Sequence, residues 1–499
     1  MTASSSSPSP GNTASARDTA HDDAPSMSSL GDGLAAAGRI LGDFYDDLDA
    51  RRVGSAVSPD DVLRELQGTI GEDGVGLDAA LADVEDTIIP ASMAIPHPKY
   101  LGLLNTSPMV GGIVADALIA GLNNNAGAWE QSPAFSAAEA EAIACLNRVL
   151  GLPAETEGLV LPGGSFATLH GLQLARQAML PEWREHGVRA LSGNPRVYVT
   201  EGTHFSTARA AHTLGVARND VVRVPAIGRG QMDDAALARI IADDRAAGAI
   251  PMCVVATIGT TGTGATDPVP EVAAVCRDAG VWLHVDACYG GAAALLDECN
   301  DLFAGLDQAD SVAIDPHKWF FVPLVAGVIL TRHPGLSYDV FNIDAPYIPT
   351  RDLVDGFQRG LPTSRRAAGF AIWMTLRVHG LRTIRDAVRR NNELTRRLEA
   401  GLRDAGFRVM PDGRLSIACA RWEPSDQSDA GRDTLQQRIA DAAVAKGFAW
   451  FSITRSAGQT WLRLAMVNIH TRASDVDELV RDLTVTAAEV AETTRSAAD

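Results

Sequence analysis

Four short stretches of this chain carry residue types that can do chemistry together. Trp282-Leu283-His284-Val285-Asp286-Ala287 is an apolar run that ends in a carboxylate. A carboxylate at the mouth of a buried strand needs a cationic partner or water. Asp286 can therefore be the counter-ion of a protonated heterocyclic nitrogen, or simply a helix cap or salt-bridge partner. Asp315-Pro316-His317-Lys318-Trp319 comes after a second apolar run, and Lys318 precedes Trp319-Phe320-Phe321. Between apolar flanks an amine is partly desolvated, which lowers its pKa and makes it a better nucleophile toward a carbonyl.

Leu161-Pro162-Gly163-Gly164-Ser165 links an apolar run to a helix-like stretch. Glycines with a hydroxyl at a helix start offer backbone N–H groups to a phosphate. Gly259-Thr260-Thr261-Gly262 is a second polar turn. Neither has the Gly-Lys-Ser/Thr ending of a Walker loop or the GxGxxG dinucleotide pattern. His204 lies in Thr203-His204-Phe205-Ser206; a lone histidine is more often structural than functional. A phosphate cradle, an aromatic cap, a carboxylate and an amine on one rim meet the needs of pyridoxal phosphate. The lysine holds the aldehyde as an imine, and the carboxylate keeps the ring nitrogen protonated so that the ring accepts electrons.

The elements that must position these groups are seven short apolar runs: Gly158–Leu161, Val197–Thr200, Val221–Val224, Met252–Ile258, Val281–Val285, Ser311–Ile314 and Gly327–Thr331. Helix-like stretches fill most intervals, such as Thr168–Ala178, Ser206–Leu214, Asp234–Arg245 and Pro270–Ala279. The fold class is α/β: a mostly parallel seven-stranded sheet with helices on both faces. Too few residues separate the last two runs for a helical crossover, so the seventh strand is expected to be antiparallel. Ligands then bind beyond the carboxyl ends of the strands.

A helix is expected over Ser136–Leu150, with Ser136 and Glu139 at capping-box spacing and Gly151 and Pro153 ending it. A helix at Thr383–Ala405 and strands near Leu415–Ala420 and Trp461–Val467 form a small C-terminal α+β unit. The expected layout is a disordered Ser/Pro/Ala-rich tail over 1–30, an N-terminal helical arm over 31–95, a large domain over 96–380 and a small domain over 381–499.

With 43 Lys+Arg against 62 Asp+Glu, the 499-residue chain carries a formal charge of −19. Phosphate attraction needs a basic face, so nucleic acid and anionic membranes are excluded as partners. The chain has no apolar run of membrane length and no basic-then-apolar leader. Six dispersed cysteines without a CxxC pair suit reduced thiols in the cytoplasm and offer no zinc site. The histidines show no HxxxH spacing, which argues against a metal hydrolase.

These residues resemble the group II pyridoxal-phosphate amino-acid decarboxylases of fold type I. The likeness runs from about Gly38 to the C-terminal region. It is most specific in HVDACYGG (His284–Gly291) and SVAIDPHKWF (Ser311–Phe320). The resemblance implies that Lys318 forms the imine with the cofactor and Asp286 pairs with the pyridinium. By the same resemblance, His204 stacks on the ring and helps orient the substrate carboxylate. Gly164, Ser165 and His317 hold the phosphate, and Thr257 sits near the ring. HPKYLGLLNTSP (His97–Pro108) and LNNNAGAWEQSP (Leu122–Pro133) match the family's substrate-side segments, with Leu104, Asn105, Asn125, Gly127 and Trp129 as pocket candidates. LRLAMVNIHT (Leu462–Thr471) matches its C-terminal strand. Family members are homodimers with active sites at the interface, and an apolar-faced arm at 31–95 would clasp a partner.

Phe341–Ile348 looks like the family's mobile catalytic loop, whose tyrosine, here Tyr347, returns a proton to the α-carbon after CO2 departs. Relatives that form aldehydes often carry Phe at that tyrosine or Asn at the histidine. This chain keeps Tyr347 and His204, which favours non-oxidative decarboxylation of an L-amino acid to the amine. Phe166 stands where an acidic or polar residue is common, and Cys288 where Ala is common. Leu104, Asn105 and Gly127 replace larger, often aromatic residues of the animal aromatic-acid enzymes. Ser364 matches a serine of plant enzymes for phenolic substrates. The resemblance leans to an aromatic L-amino acid and leaves aliphatic, acidic and diamino acids open. Transamination, aldehyde formation, carbon–carbon lysis and a non-catalytic scaffold are the rival readings; retention of Lys318 and Asp286 speaks against the scaffold.

Overall fold

All seven apolar runs form strands of one sheet in the computed structural model, which describes residues 28–55, 57–343, 353–425 and 427–496. They are β1 (Glu157–Leu161), β2 (Pro195–Val199), β3 (Val221–Arg223), β4 (Ile250–Thr257), β5 (Trp282–Asp286), β6 (Ser311–Ile314) and β7 (Gly327–Thr331). The sheet order is β1-β7-β6-β5-β4-β2-β3. β7 runs antiparallel to both of its neighbours, β1 and β6, as the short connection requires. The other pairings are parallel. β5 and β6 are buried at every position, and β4 at all but its first, because helices cover both faces.

Helices Gly164–Met179, Phe205–Thr213, Asp234–Ala246 and Val269–Ala279 fill four of the intervals. The first begins a turn earlier than expected because Gly163, at φ 89°, turns the chain sharply out of β1. The helix expected at Ser136 spans Pro133–Leu150. Proline fixes φ and lacks an N–H that the first turn could not use, so the helix starts there after Ser132. The Ser136–Glu139 capping box does not form. Glu139 is instead buried, accepting from the Val160 N–H at 3.2 Å and pairing with Arg365.

The C-terminal part holds a second, antiparallel sheet of β8 (Arg408–Val409), β9 (Ile417–Arg421), β10 (Ser452–Ser456) and β11 (Gln459–Ala465), in the order β8-β9-β11-β10. Its core gathers Leu398, Leu402, Leu435, Ile439, Leu462, Leu464 and Leu483 from that sheet and from helices Ala368–Asp404, Asp429–Lys446 and Ala473–Ser496. Ala368–Asp404 is interrupted at Gly380, whose φ of 73° and ψ of 155° are not helical.

The chain divides into two compact units, one of residues up to Asp47 with Pro59–Pro90, the other of Leu48–Ser58 with Ala91 onward. The first holds helices Ser28–Asp46, Pro59–Leu66 and Leu77–Asp83. None of its described residues is buried, and Leu30, Leu34, Leu41, Leu63 and Leu66 are exposed.

Candidate active site

A cavity of about 290 Å³ opens where the sheet's parallel strands end. Gly164, Ser165, His204, Thr257, Asp286, His317 and Lys318, the seven cofactor candidates from the sequence, all line it. β4 and β5 lie in register so that Thr257 pairs with Asp286 across the two strand ends. This is where a parallel sheet brings loop chemistry together.

The helix start at Gly163-Gly164-Ser165 forms one wall. A side chain at Gly164 would lie 2.5 Å from Asp315 Oδ2 and 2.6 Å from Cys288 Sγ, so only glycine lets the turn come this close. The unpaired N–H groups of this first helical turn suit a phosphate. Asp286 is buried, and its Oδ1 accepts from the Cys288 N–H at 3.0 Å. That bond fixes the carboxylate at the cavity wall. Thr257 donates its N–H to Asp267 Oδ2 at 2.7 Å, while its buried hydroxyl has no partner. Burial pushes the Asp267 carboxyl up to about 6.

His204 caps the helix Phe205–Thr213: its Nδ1 accepts from the Ser206 N–H at 3.3 Å and lies 2.7 Å from the Ser206 hydroxyl. Nδ1 is thus engaged by its own turn. Burial, with help from the Lys318 charge, holds this imidazole below its usual pKa. His317 places Nδ1 2.7 Å from the Ala326 carbonyl oxygen and Nε2 3.8 Å from Asp315 Oδ2.

Lys318 is anchored by the three aromatic residues on its C-terminal side. Trp319, Phe320 and Phe321 are buried, Trp319 stacks near Tyr289, and its indole N–H donates to Asn391 Oδ1 at 2.9 Å. Phe321 sits at φ 59°, a left-handed conformation that a bulky residue rarely adopts. Lys318 Nζ lies 2.9 Å from Asp315 Oδ2. The expectation of a depressed amine pKa is reversed. Burial pulls the ammonium down, but Asp315, Cys288 and Asp286 together outweigh it and hold Lys318 above the ordinary lysine value.

Lysine is scarce in this chain: Lys99, Lys318 and Lys446 are its only three. Lys99 pairs with Glu478 at 2.7 Å and Lys446 with Glu489 at 2.5 Å, both glutamates being at the surface. Imine chemistry requires an amine, and only Lys318 of the three lines this cavity.

Two residues of this region carry little signal in the sequence. Asp315 reads there only as part of a motif. Arg463 lies mid-strand in β11, where it reads as an ordinary strand residue. It is 3 % exposed, and its guanidinium donates to the Thr261 carbonyl at 2.5 Å, the Leu103 carbonyl at 3.2 Å and the Ser452 hydroxyl at 3.3 Å. None of these partners is a carboxylate.

The six pocket candidates do not line the Lys318 cavity. Leu104 is buried in the main core. Asn125 Oδ1 accepts from the Gly127 and Arg365 N–H groups, each at 2.9 Å. Trp129 donates its N–H to Asp355 Oδ1 at 2.7 Å and borders a separate cavity of about 440 Å³ beside β1. Asn105 is half-buried and Ser364 exposed. Tyr347 lies outside the described residues.

Residues 59–421 match the family model described as the pyridoxal-dependent decarboxylase conserved domain. The chain belongs to this family. The enzyme is therefore a pyridoxal-phosphate-dependent amino-acid decarboxylase, a carboxy-lyase. It is 30% identical over 460 residues to an aromatic-L-amino-acid decarboxylase of Bacillus atrophaeus, covering 90% of this chain and 94% of that one. It is 26% identical over 439 residues to an L-2,4-diaminobutyrate decarboxylase of Acinetobacter baumannii, covering 84% and 86%. Among solved structures, the Oryza sativa TDC crystallised with PLP and tryptamine superposes with a TM-score of 0.89 at 23% identity, covering 93% of this chain and 99% of that one. Mouse CSAD superposes at 0.88 with 24% identity, covering 93% and 99%. The decarboxylase thus has the fold type I α/β architecture.

The cavity fits the cofactor on its own terms. It combines a helix N-terminus closed to any side chain but hydrogen, a buried carboxylate, a lysine, and two orphaned buried oxygens, Thr257 Oγ1 and Asp315 Oδ1. Buried polar atoms are rarely left unpaired, so orphans in a cavity wall mark where a polar ligand belongs.

Proposed function

We propose that the enzyme removes CO2 from an aromatic L-amino acid and releases the amine. Lys318 holds the cofactor, Asp286 keeps its ring nitrogen protonated, and Gly164, Ser165 and His317 hold its phosphate. The observation that carries the assignment is that Lys318, alone of three lysines, lines a cavity together with a buried carboxylate and a helix N-terminus. The aromatic preference is supported by the Bacillus atrophaeus relative, which matches over nearly its whole length. The Acinetobacter baumannii relative supports a diamino acid as the second reading.

Bound pyridoxal phosphate supplies an electron-accepting ring for the pair left when the carboxylate departs. The protein's part is positional. Asp286, fixed by the Cys288 N–H, holds a proton on the ring nitrogen. His204, which lines the same cavity with its Nδ1 occupied by the Ser206 turn, would face the cofactor ring and have Nε2 free for the substrate. Arg463, a buried cation without a carboxylate partner among the described residues, donates to the Thr261 carbonyl and so steadies the turn that lines the cavity. Tyr347 returns a proton to the α-carbon.

We further propose a homodimer. The N-terminal helices bury none of their described residues in their own chain, and Val110, Val114, Leu118 and Leu122 form an exposed apolar stripe at four-residue spacing on helix Val110–Leu122. In such a dimer, Asn105, Asn125, Gly127, Trp129 and Ser364 would serve the partner's site, while Leu104 stays in its own chain's core. Gly380 supports a boundary between domains 96–380 and 381–499. Six free cysteines support a reducing, cytoplasmic location.

The deciding experiment is mass spectrometry of the purified protein with pyridoxal phosphate and a panel of L-amino acids. An aromatic amine one CO2 lighter than its parent supports the proposal. A diamine supports the second reading, and aldehyde or keto-acid products overturn simple decarboxylation. Sedimentation equilibrium tests the dimer; a monomer at micromolar concentration would refute it.

A further inference from the structure

Asp315 has no assigned role, yet it touches the reacting atom of the site. Its Oδ2 lies 2.9 Å from Lys318 Nζ, and the same short turn brings the Lys318 N–H to the Asp315 carbonyl at 2.9 Å. The carboxylate is 3 % exposed, and its Oδ1 has no partner. Four other titratable groups face the amine: Asp286 on β5, Cys288 just beyond it, His204 at the start of helix Phe205–Thr213, and His317 in the same turn. Of these five groups, Asp315 is the one in ion-pair contact with Nζ.

We propose that Asp315 holds Lys318 as an ammonium at the cavity wall and so sets the pH at which the cofactor-free chain captures pyridoxal phosphate covalently. This rests on Lys318 being the cofactor's lysine. An ammonium has no free electron pair, so it must lose a proton before it attacks the aldehyde carbon. In the full step a C–N bond forms and the carbonyl oxygen leaves as water, taking two of the three ammonium protons. The third stays on the imine nitrogen. A carboxylate at contact distance, screened little by solvent, favours the charged amine and delays that first proton loss to higher pH. Asp315 also crowds Gly164 at the phosphate-binding turn, so the latch lies directly beside the site it guards.

The test uses the full-length chain stripped of cofactor. It is exposed briefly to pyridoxal phosphate from pH 6 to 11, reduced with borohydride, and mapped by peptide mass. For the natural sequence, trapping at Lys318 should still climb above pH 10. In Asp315→Asn the profile should move toward acid by about one pH unit or more, which is about tenfold more free amine at a given pH below the midpoint. Asp315→Glu, which keeps the carboxylate, should stay near the natural profile. Coincident profiles for the natural chain and Asp315→Asn would overturn the proposal. So would a natural profile that levels off below pH 9, a measurement that stands even if the Asn variant does not fold. Trapping at Lys99 or Lys446 instead would remove the lysine assignment itself, whereas trapping at Lys318 with an unmoved profile removes only the role of Asp315.

Discussion

The guanidinium of Arg365 and the carboxylate of Glu139 meet at 2.6 Å with both side chains buried. Arg365 also donates to the Ala126 carbonyl at 2.9 Å and the Val160 carbonyl at 2.7 Å, joining the segment before the long helix to β1 and to residues 125–127. Arg365→Ala leaves Glu139 charged and uncompensated, and should cost about 3–5 kcal/mol of stability. The double change Glu139→Gln with Arg365→Met should recover part of that loss. Urea unfolding of the three proteins checks this; a single variant as stable as its parent would show that the pair is not structural.

Lys318→Ala should abolish the long-wavelength absorbance of the cofactor-loaded protein and all turnover. Lys99→Ala and Lys446→Ala should keep both, since those amines lie in surface ion pairs. A Lys318→Ala protein that retained the band would refute the site assignment.

Asp286→Asn keeps the size of the side chain but not its charge. With the cofactor saturating, kcat should fall by about 10²–10³-fold, the usual cost of losing one preorganised electrostatic partner. Steady-state kinetics at several cofactor concentrations separate that loss from weaker binding. A variant within threefold of its parent would mean that Asp286 is not the partner of the ring nitrogen.

Tyr347→Phe should shift product from amine toward aldehyde, read directly by mass spectrometry. An unchanged amine yield would remove Tyr347 from the proton-return role.

Stability should fall with acid in a window set by buried groups. Burial lowers His170 to about 3 and His284 to about 4, so the unfolded chain takes up their protons first, below about 6.5. Each histidine then costs about 1.4 kcal/mol per pH unit as pH falls through that window. Asp267, raised to about 6, acts in the opposite sense, because its folded form binds a proton first. From these three groups alone, two histidines against one carboxyl leave a net loss of about 1.4 kcal/mol per unit between pH 6 and 4, and His97, His204 and His470, which burial also lowers, act in the same direction. Urea midpoints from pH 7 to 4.5 measure the slope; a flat series would contradict it.

The sheet was legible because its strands are buried on both faces and read as unbroken apolar runs, Met252–Ile258 being the plainest. β8 and β10 give no such signal: Arg408–Val409 is too short, and Ser452–Ser456 carries Thr454 and Arg455 rather than an apolar run. Lys318 and Asp286 stood out by flank and position. The sign of the Lys318 shift did not, since apolar neighbours were visible in the sequence but the folding of Asp315 back onto the amine was not. Glu139 had the spacing of a cap yet went to Arg365, a partner more than two hundred residues away that no local pattern could announce.

The scarcity of lysine has a preparative side. An aldehyde in excess decorates a protein wherever it finds an accessible amine, and arginine side chains do not form stable imines at neutral pH. Here 40 of the 43 basic side chains are arginines, and two of the three lysine amines are tied to glutamates. Titration of the stripped chain with its cofactor should therefore meet few competing amines besides Lys318. Storage in a surplus of the aldehyde should change the surface charge at few positions only, because so few side-chain amines are present.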